Sequence, residues 1–393
     1  MRVLHVIASV ADIRGGPSRA ILDMVNALNY AGVDAEIATT NDAGSSLLDV
    51  PLYERVQYQG VPVYFFPRFS PPVHAIREFA FSWPLAQWLW NHLDDYDLVH
   101  VHALFSMPCT LTMVLARLKN IPYILAPHGL LCRWSLQQSA QRKATYLRLI
   151  EHANLNHSAG LHLNSQLEQR ELEAVQLTAP SFVLSHGLHP AELIPDARQK
   201  LRTMLKLAPD EPIILFLSRL HPKKGLDLLI AALSQLRHRR FTFVIAGSGD
   251  SDYEVEIDQL LQDHRLSDRT CRVGFVEGEK KNICLQGADL FVLTSHSENF
   301  GVVVLEALAS RLPVVLTPGV ALSDLINTHQ LGAVAELNEG AIAKSIEHLL
   351  NNPDLRTSIG DRARPLVLER YTWNAIGTQL GDRYKTALAQ EVS

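Results

Sequence analysis

Short runs of continuously apolar residues, each followed by a stretch with helical spacing, recur through both halves of this chain. In the first half the runs are Arg2–Ala8, Asp34–Thr39, Leu98–His102, Tyr123–Ala126 and Gly160–Leu163; in the second they are Ile213–Leu217, Phe241–Ala246, Arg272–Phe275, Leu290–Thr294 and Val314–Thr317. Helical patterns such as Leu226–Arg237 and Val303–Ser310 lie between them. A strand that is apolar throughout must be covered on both faces, and a helix after each strand achieves this in a parallel sheet with right-handed crossovers. Two such sets predict an α/β chain of two Rossmann-like, doubly wound domains. Gly187, Pro190, Pro195 and Pro209 cluster with charged residues around His186–Asp210, which sets the domains at 1–187 and 188–370. The helical segment 371–393 is expected to complete the first domain. Ligands of open α/β sheets bind beyond the carboxyl ends of the strands, so the two domains are expected to face each other across a cleft.

Composition narrows the class. The chain has 393 residues, 47% hydrophobic and 20% charged, enough apolar material for two cores and unlike collagenous, low-complexity or disordered sequences. Lys and Arg number 36 against 41 Asp and Glu, a net charge of −5, so no basic field of the kind that drives nucleic-acid affinity is present. Cys109, Cys132, Cys271 and Cys284 lack CxxC spacing, which suits a reducing, cytoplasmic setting. The opening MRVLHVIASVAD is broken by His5 and Asp12 and reads as a strand rather than a leader. No run approaches the roughly eighteen uncharged apolar residues that a membrane span takes.

Three loops at expected strand ends have residues suited to chemistry. The segment Asp12-Ile13-Arg14-Gly15-Gly16-Pro17-Ser18 joins the first strand to a helix, and its glycines expose backbone amides to an anion at a helix N-terminus. A plain turn is the alternative, and the missing GxGxxG fits an NAD dehydrogenase poorly. Beyond Ile213–Leu217, the segment Ser218–Asp227 holds Arg219 and Lys224, two cations at a strand end that suit a diphosphate or are simply solvated surface charge. After Leu290–Thr294, the turn Glu298-Asn299-Phe300-Gly301 opens a helix carrying Glu306. Paired carboxylates there suit sugar hydroxyls, with Glu298 as a charge favoured by the helix dipole as the bland alternative.

These segments, with Asp97-Leu98-Val99-His100-Val101-His102, Pro127-His128-Gly129 and Ala246-Gly247-Ser248-Gly249, resemble in order and spacing the retaining nucleotide-sugar glycosyltransferases of the GT-B architecture. The similarity is to glycosyltransferase family four (glycosyl transferases group 1) and spans nearly the whole chain. It implies that Arg219 and Lys224 bind the donor diphosphate and stabilise the leaving nucleotide, and that Glu306 holds the ribose. It implies that Glu298 and the amides of Asn299, Phe300 and Gly301 hold the hexose. The Gly15-Gly16 loop would approach the phosphates, Gly247 would border the donor, and the backbone of Phe275 and Val276 would meet the base. His128 would lie near the anomeric carbon. The catalytic set is therefore His128, Arg219, Lys224 and Glu298, with no required metal or other cofactor.

The expected reaction moves a hexose from a nucleoside diphosphate sugar to a hydroxyl-bearing glycan or lipid-linked acceptor with retention. UDP-glucose is the first choice of donor, a GDP-sugar the second, and exopolysaccharide or envelope glycan assembly the setting. A nucleotide-sugar epimerase or hydrolase, or a non-catalytic nucleotide-sugar-binding subunit, is the alternative. The chain departs from the family pattern at His186, where relatives have Asn, and at Ser310-Arg311, where a glycine usually caps the helix. His100 and His102 are assigned to opposite faces of their strand. Asp95-Tyr96-Asp97 and Asp250-Ser251-Asp252 have metal-binding spacing, but the first is expected at the wrong end of its strand and cationic side chains are expected to replace an ion. Aromatic residues in Pro71–Leu93 and basic residues in a helix over Arg133–Leu155 suit peripheral contact with the inner membrane face or a lipid-linked acceptor. A packed aromatic helix and a solvated charged face form the alternative.

Overall fold

The computed structural model describes residues 1–137 and 140–391, which divide into two compact units. One consists of Met1–Gly187 together with the segment from Trp373 onward; the other is Leu188–Thr372.

The first unit is built on an eight-stranded sheet in the order Ser181–Val183, Gly160–Leu163, Tyr123–Ala126, Leu98–His102, Arg2–Val6, Asp34–Thr40, Val61–Phe66, Arg55–Tyr58. All neighbours are parallel except the last pair, a hairpin turned at Gln59 and Gly60, both with positive φ. That hairpin and the edge strand Ser181–Val183 extend beyond the expected strands, as does Gly332–Val334 in the second unit. Helix Gly16–Tyr30 covers one face, and helix Trp373–Glu391 packs on it through Ile376, Leu380 and Tyr384, all buried. At about 25 cal/mol per Å² of apolar surface removed from water, three such side chains make the C-terminal helix part of this core.

The second unit has a six-stranded, wholly parallel sheet ordered Thr270–Gly274, Thr242–Ala246, Ile213–Leu217, Leu290–Leu293, Val314–Leu316, Gly332–Val334. After Ile213–Leu217 the chain adds strands on one side, then Leu290–Leu293 starts the other side, so the switch point lies between those two strands. Ridges on both faces of these strands are apolar and fully buried, from Ile213 to Phe216 and from Leu290 to Leu293, as a doubly covered sheet requires.

The helix expected over Arg133–Leu155 is interrupted: Arg133–Gln137, Ala140–Tyr146, a π-turn Leu147–Glu151 and His152–Asn156 follow one another, with 138 and 139 outside the described residues. Arg311 takes the left-handed conformation (φ 62°) after helix Val302–Ala309, doing with a side chain what a glycine does at no steric cost.

Candidate functional site

In the second unit, the loops that leave the carboxyl ends of Ile213–Leu217, Thr242–Ala246 and Thr270–Gly274 enclose a pocket of about 470 Å³. Arg219, His221, Gly247, Asp250, Phe275 and Val276 are among its lining residues. Two glycines allow this convergence. A Cβ on Gly247 would stand 1.9 Å from the Ser218 carbonyl oxygen, and one on Gly225 (φ 64°) would stand 2.1 Å from that of Thr294. No side chain fits at either position, so the loops meet backbone to backbone. Leu220 N–H donates to Ser248 O (2.9 Å), Gly247 N–H to Gly274 O (2.8 Å) and His296 N–H to Lys223 O (2.9 Å), tying the loops from neighbouring strands together.

Arg219 is exposed at the mouth of the pocket. Phe275 is 69% exposed while Val276 is buried, so a flat aromatic ring and an apolar floor adjoin the cation. The histidine pKa of His221 is lowered by burial and then by its cationic neighbours Arg219, Lys223 and Lys224, so the ring is neutral at pH 7; its Nδ1 accepts from Lys223 N–H. Lys224 sits at the switch point and donates to Glu298, which descends from the neighbouring strand; both are mostly buried. The Glu298 backbone is fixed by a parallel bridge to Val320, its N–H donating to Gly319 O at 2.8 Å. Asn299, buried Phe300 and Gly301 follow, and Gly301 caps helix Val302–Ala309. Glu306, on that helix, accepts from Lys281 at 2.8 Å. Lys281 has no motif of its own and was found only through this partner.

In the first unit, Gly15 precedes helix Gly16–Tyr30 and Gly16 opens it; both are exposed. His128, 9% exposed, has φ 52°, a strained conformation for a residue with a Cβ. Its Nε2 lies 3.0 Å from His102 Nδ1, its Nδ1 lies 3.3 Å from Asn164 Nδ2, and its ring stacks on His186 at 5.5 Å. Burial, then the neighbouring imidazoles, hold its pKa well below the ordinary histidine value. Glu168 accepts from Gly129 N–H (2.6 Å) and Asn164 N–H (2.7 Å), fixing the backbone next to His128 and that of its amide partner Asn164. Its own burial outweighs those bonds and raises its pKa to about 7. The spacing Ser165-x-x-Glu168 is a capping-box signal, and Ser165 Oγ does accept from Glu168 N–H at 3.0 Å.

His100 and His102 share one face of their strand, with ring centroids 4.2 Å apart. Side chains alternate along a strand, so residues two apart lie together, which corrects the opposite-face assignment. Of the two metal-like acidic pairs, Asp97 accepts from Arg2 N–H at the amino end of its strand, whereas Asp250 borders the pocket.

Residues 197–365 match the family model described as glycosyl transferases group 1, and residues 15–185 match a glycosyl transferase 4-like domain. An uncharacterized glycosyltransferase of Methanocaldococcus jannaschii is 29% identical over 86% of this chain and 88% of its own. Sucrose-phosphate synthase of Thermosynechococcus elongatus shares the fold with a TM-score of 0.78 at 21% identity, covering 99% of this chain and all of that one. Anabaena HepE, solved with UDP and glucose, does so with a TM-score of 0.76 at 21% identity over 98% of this chain and 100% of its own. The matched segments take in both units and the pocket loops alike, and by them the chain belongs to the group 1 glycosyltransferases, nucleotide-sugar-dependent transferases of the GT-B fold.

Proposed function

We propose that the chain transfers a hexose, glucose from UDP-glucose, to a hydroxyl of a glycan or lipid-linked acceptor in exopolysaccharide or envelope glycan assembly, with retention at the anomeric carbon and without a metal ion. The observation that carries this reading is the pocket at the strand ends, where an exposed cation, an exposed aromatic ring and a lysine–glutamate pair at the switch point adjoin. The donor identity is supported by the fold shared with HepE, which was solved with UDP and glucose.

In this reading Phe275 and Val276 meet the base, Glu306 accepts from the ribose hydroxyls, and Arg219 and Lys224 hold the diphosphate with Gly247 beside it. Glu298 and the amides of Asn299, Phe300 and Gly301 hold the hexose; Gly15 and Gly16 serve a phosphate and His128 the sugar. The acceptor oxygen bonds to the anomeric carbon as the bond from that carbon to the phosphate oxygen breaks, and the acceptor proton passes to the departing diphosphate. Negative charge grows on that diphosphate, and fixed cations stabilise it most where water is excluded.

Thermal shifts with UDP, GDP, ADP and their hexose conjugates in EDTA test the donor, because a ligand at 100 times its Kd adds about 2.7 kcal/mol of stability. Stabilisation by UDP and UDP-glucose alone is expected; a response confined to GDP-sugars, or one that requires Mg²⁺, defeats this form of the reading. Product anomers determined by NMR decide retention.

A second proposal concerns membranes. In the first unit Phe69, Ile76, Phe79 and Phe81 line an apolar pocket, and Phe79 meets Tyr146, whose helix continues to exposed Leu149. Lys143, Arg142 and Arg148 lie on the same helical stretch. Among the described residues no helix is long and apolar enough to cross a membrane, so the proposed contact is peripheral, through this apolar and basic patch. Co-sedimentation with phosphatidylglycerol vesicles that weakens with salt is expected; none at low salt removes the proposal. Trp88, by contrast, packs inward against Tyr64 and Phe66.

A further inference from the structure

We propose that Tyr384, on the C-terminal helix, sets the tautomer of His128 through a one-way relay of buried imidazoles, which makes Tyr384, His5 and His102 positioning residues for that histidine. The functional weight of the relay rests on the sugar-facing assignment of His128 above; its existence does not.

The path is continuous. His162 Nε2 lies 2.8 Å from the Leu184 carbonyl oxygen, and His162 Nδ1 lies 3.4 Å from His100 Nε2. His100 Nδ1 is 2.7 Å from the Tyr384 hydroxyl, which is 3.4 Å from His5 Nε2. His5 Nδ1 is 3.0 Å from His102 Nε2, and His102 Nδ1 is 3.0 Å from His128 Nε2. The last nitrogen, His128 Nδ1, faces Asn164 Nδ2. All of these side chains are buried.

A carbonyl oxygen only accepts, so His162 carries its proton on Nε2 and leaves Nδ1 as an acceptor. A neutral imidazole has one donor and one acceptor nitrogen, so the choice propagates. His100 donates from Nε2, Tyr384 donates to His100 and accepts from His5, His5 accepts from His102, and His102 accepts from His128. The far end is compatible with this polarity: with its amide nitrogen 3.3 Å from His128 Nδ1, Asn164 donates to the lone pair left there. Burial lowers the pKa of every one of these histidines, to about 3 for His5 and about 4 for His162, so the neutral forms that the argument needs prevail at pH 7.

The same polarity bears on metals. The ligand atoms of His5, His100 and His102 lie within 4.8 Å of one another. In the relay, however, the acceptor nitrogens of His5, His100 and His102 already take protons from His102, Tyr384 and His128. An ion bound to all three requires the relay to be broken.

Two-bond ¹H–¹⁵N correlation on the full chain, labelled at its histidine rings and held at pH 8, reads each tautomer directly. His128, His102 and His5 are expected as Nε2–H in the wild type. In Tyr384→Phe the phenyl ring gives His5 Nε2–H no acceptor, whereas reversal sets a lone pair against the ring and lets Asn164 turn its oxygen to His128. A shift of at least tenfold toward Nδ1–H at all three is therefore expected, with a fall in kcat and unchanged donor affinity. The same tautomers in both proteins overturn the relay. Reversal with kcat unchanged overturns the positioning role and the assignment of His128, and leaves the donor pocket untouched. Should Tyr384→Phe fail to fold, the wild type decides: Nδ1–H at any of His162, His100, His5, His102 or His128 overturns the single polarity. A stoichiometric transition metal in protein purified without chelator overturns it as well.

Discussion

Each unit gathers a polar cluster, and the two clusters are made in opposite ways. In Leu188–Thr372 the groups are charged and partly exposed, and they pair with one another: Lys224 with Glu298, Lys281 with Glu306. In the first unit they are neutral, buried and hydrogen-bonded in series. A partly exposed ion pair is worth about 1 kcal/mol or less, so either partner can exchange its counterpart for a ligand group at little cost. A buried polar chain loses far more when one member goes, because the orphaned group has no water to turn to. The charged cluster is thus suited to taking up and releasing an anion, the neutral one to holding a single ring still.

The largest effect that would break this contrast is acid. His5, His100, His102, His128, His162 and His186 all have pKa values lowered by burial, to about 3 for His186. The unfolded chain therefore binds more protons below pH 6.5, and the first unit loses stability as pH falls from there toward 4. Glu168, raised to about 7, runs the other way and offsets one of them. The histidines outnumber the one carboxyl, so the net effect of acid is destabilising. Hydrogen exchange at pH 7 and pH 5 should show the strands around His5 and His100 losing protection while Ile213–Leu217 keeps it; equal loss in both units refutes the contrast.

Next in size is Lys224→Ala. If Lys224 stabilises the leaving diphosphate, this substitution should lower turnover by about 10²–10³ in protein that still folds. Normal turnover removes that role. Glu306→Ala should weaken donor binding by about 1.5–3 kcal/mol, read by calorimetric titration, since a charge-assisted bond to the ribose goes and Lys281 is left without its carboxylate. The smallest effect is at Arg311. Its left-handed backbone costs about 1 kcal/mol, so Arg311→Gly should be neutral to stabilising by about 0.5 kcal/mol in chemical denaturation, the added chain entropy taking back part of the gain.

The central strands were legible because they are apolar along their whole length, as Ile213–Leu217 and Leu290–Leu293 are. Ser181–Val183 and Arg55–Tyr58 were not, because edge strands are paired and covered on fewer sides and keep polar residues. Their pattern looks like loop. The Gln59-Gly60 turn was the available hairpin signal. Arg219, Lys224 and Glu298 stood out as cations and a carboxylate in loops past strand ends, and Glu306 as a second carboxylate on the helix that follows. Asn164, Lys281 and Tyr384 did not, since each acquires its meaning from a partner far along the chain, 284 residues away for Tyr384 and His100, while Glu168 offered only its local capping-box spacing. Periodicity carries information over one or two turns, and no farther.

The first unit is discontinuous, closed by helix Trp373–Glu391 after the whole second unit has been made. On the ribosome, where domains generally fold as they emerge, Leu188–Thr372 is complete before the sheet that starts the chain receives its last helix. Until then Ile376, Leu380 and Tyr384 are missing from the face they cover, and His5 and His100 have no phenol between them. The nascent protein completes the unit that holds the strand-end pocket first and its histidine chain last, so a product stalled before Trp373 pairs a finished second unit with an unfinished first one.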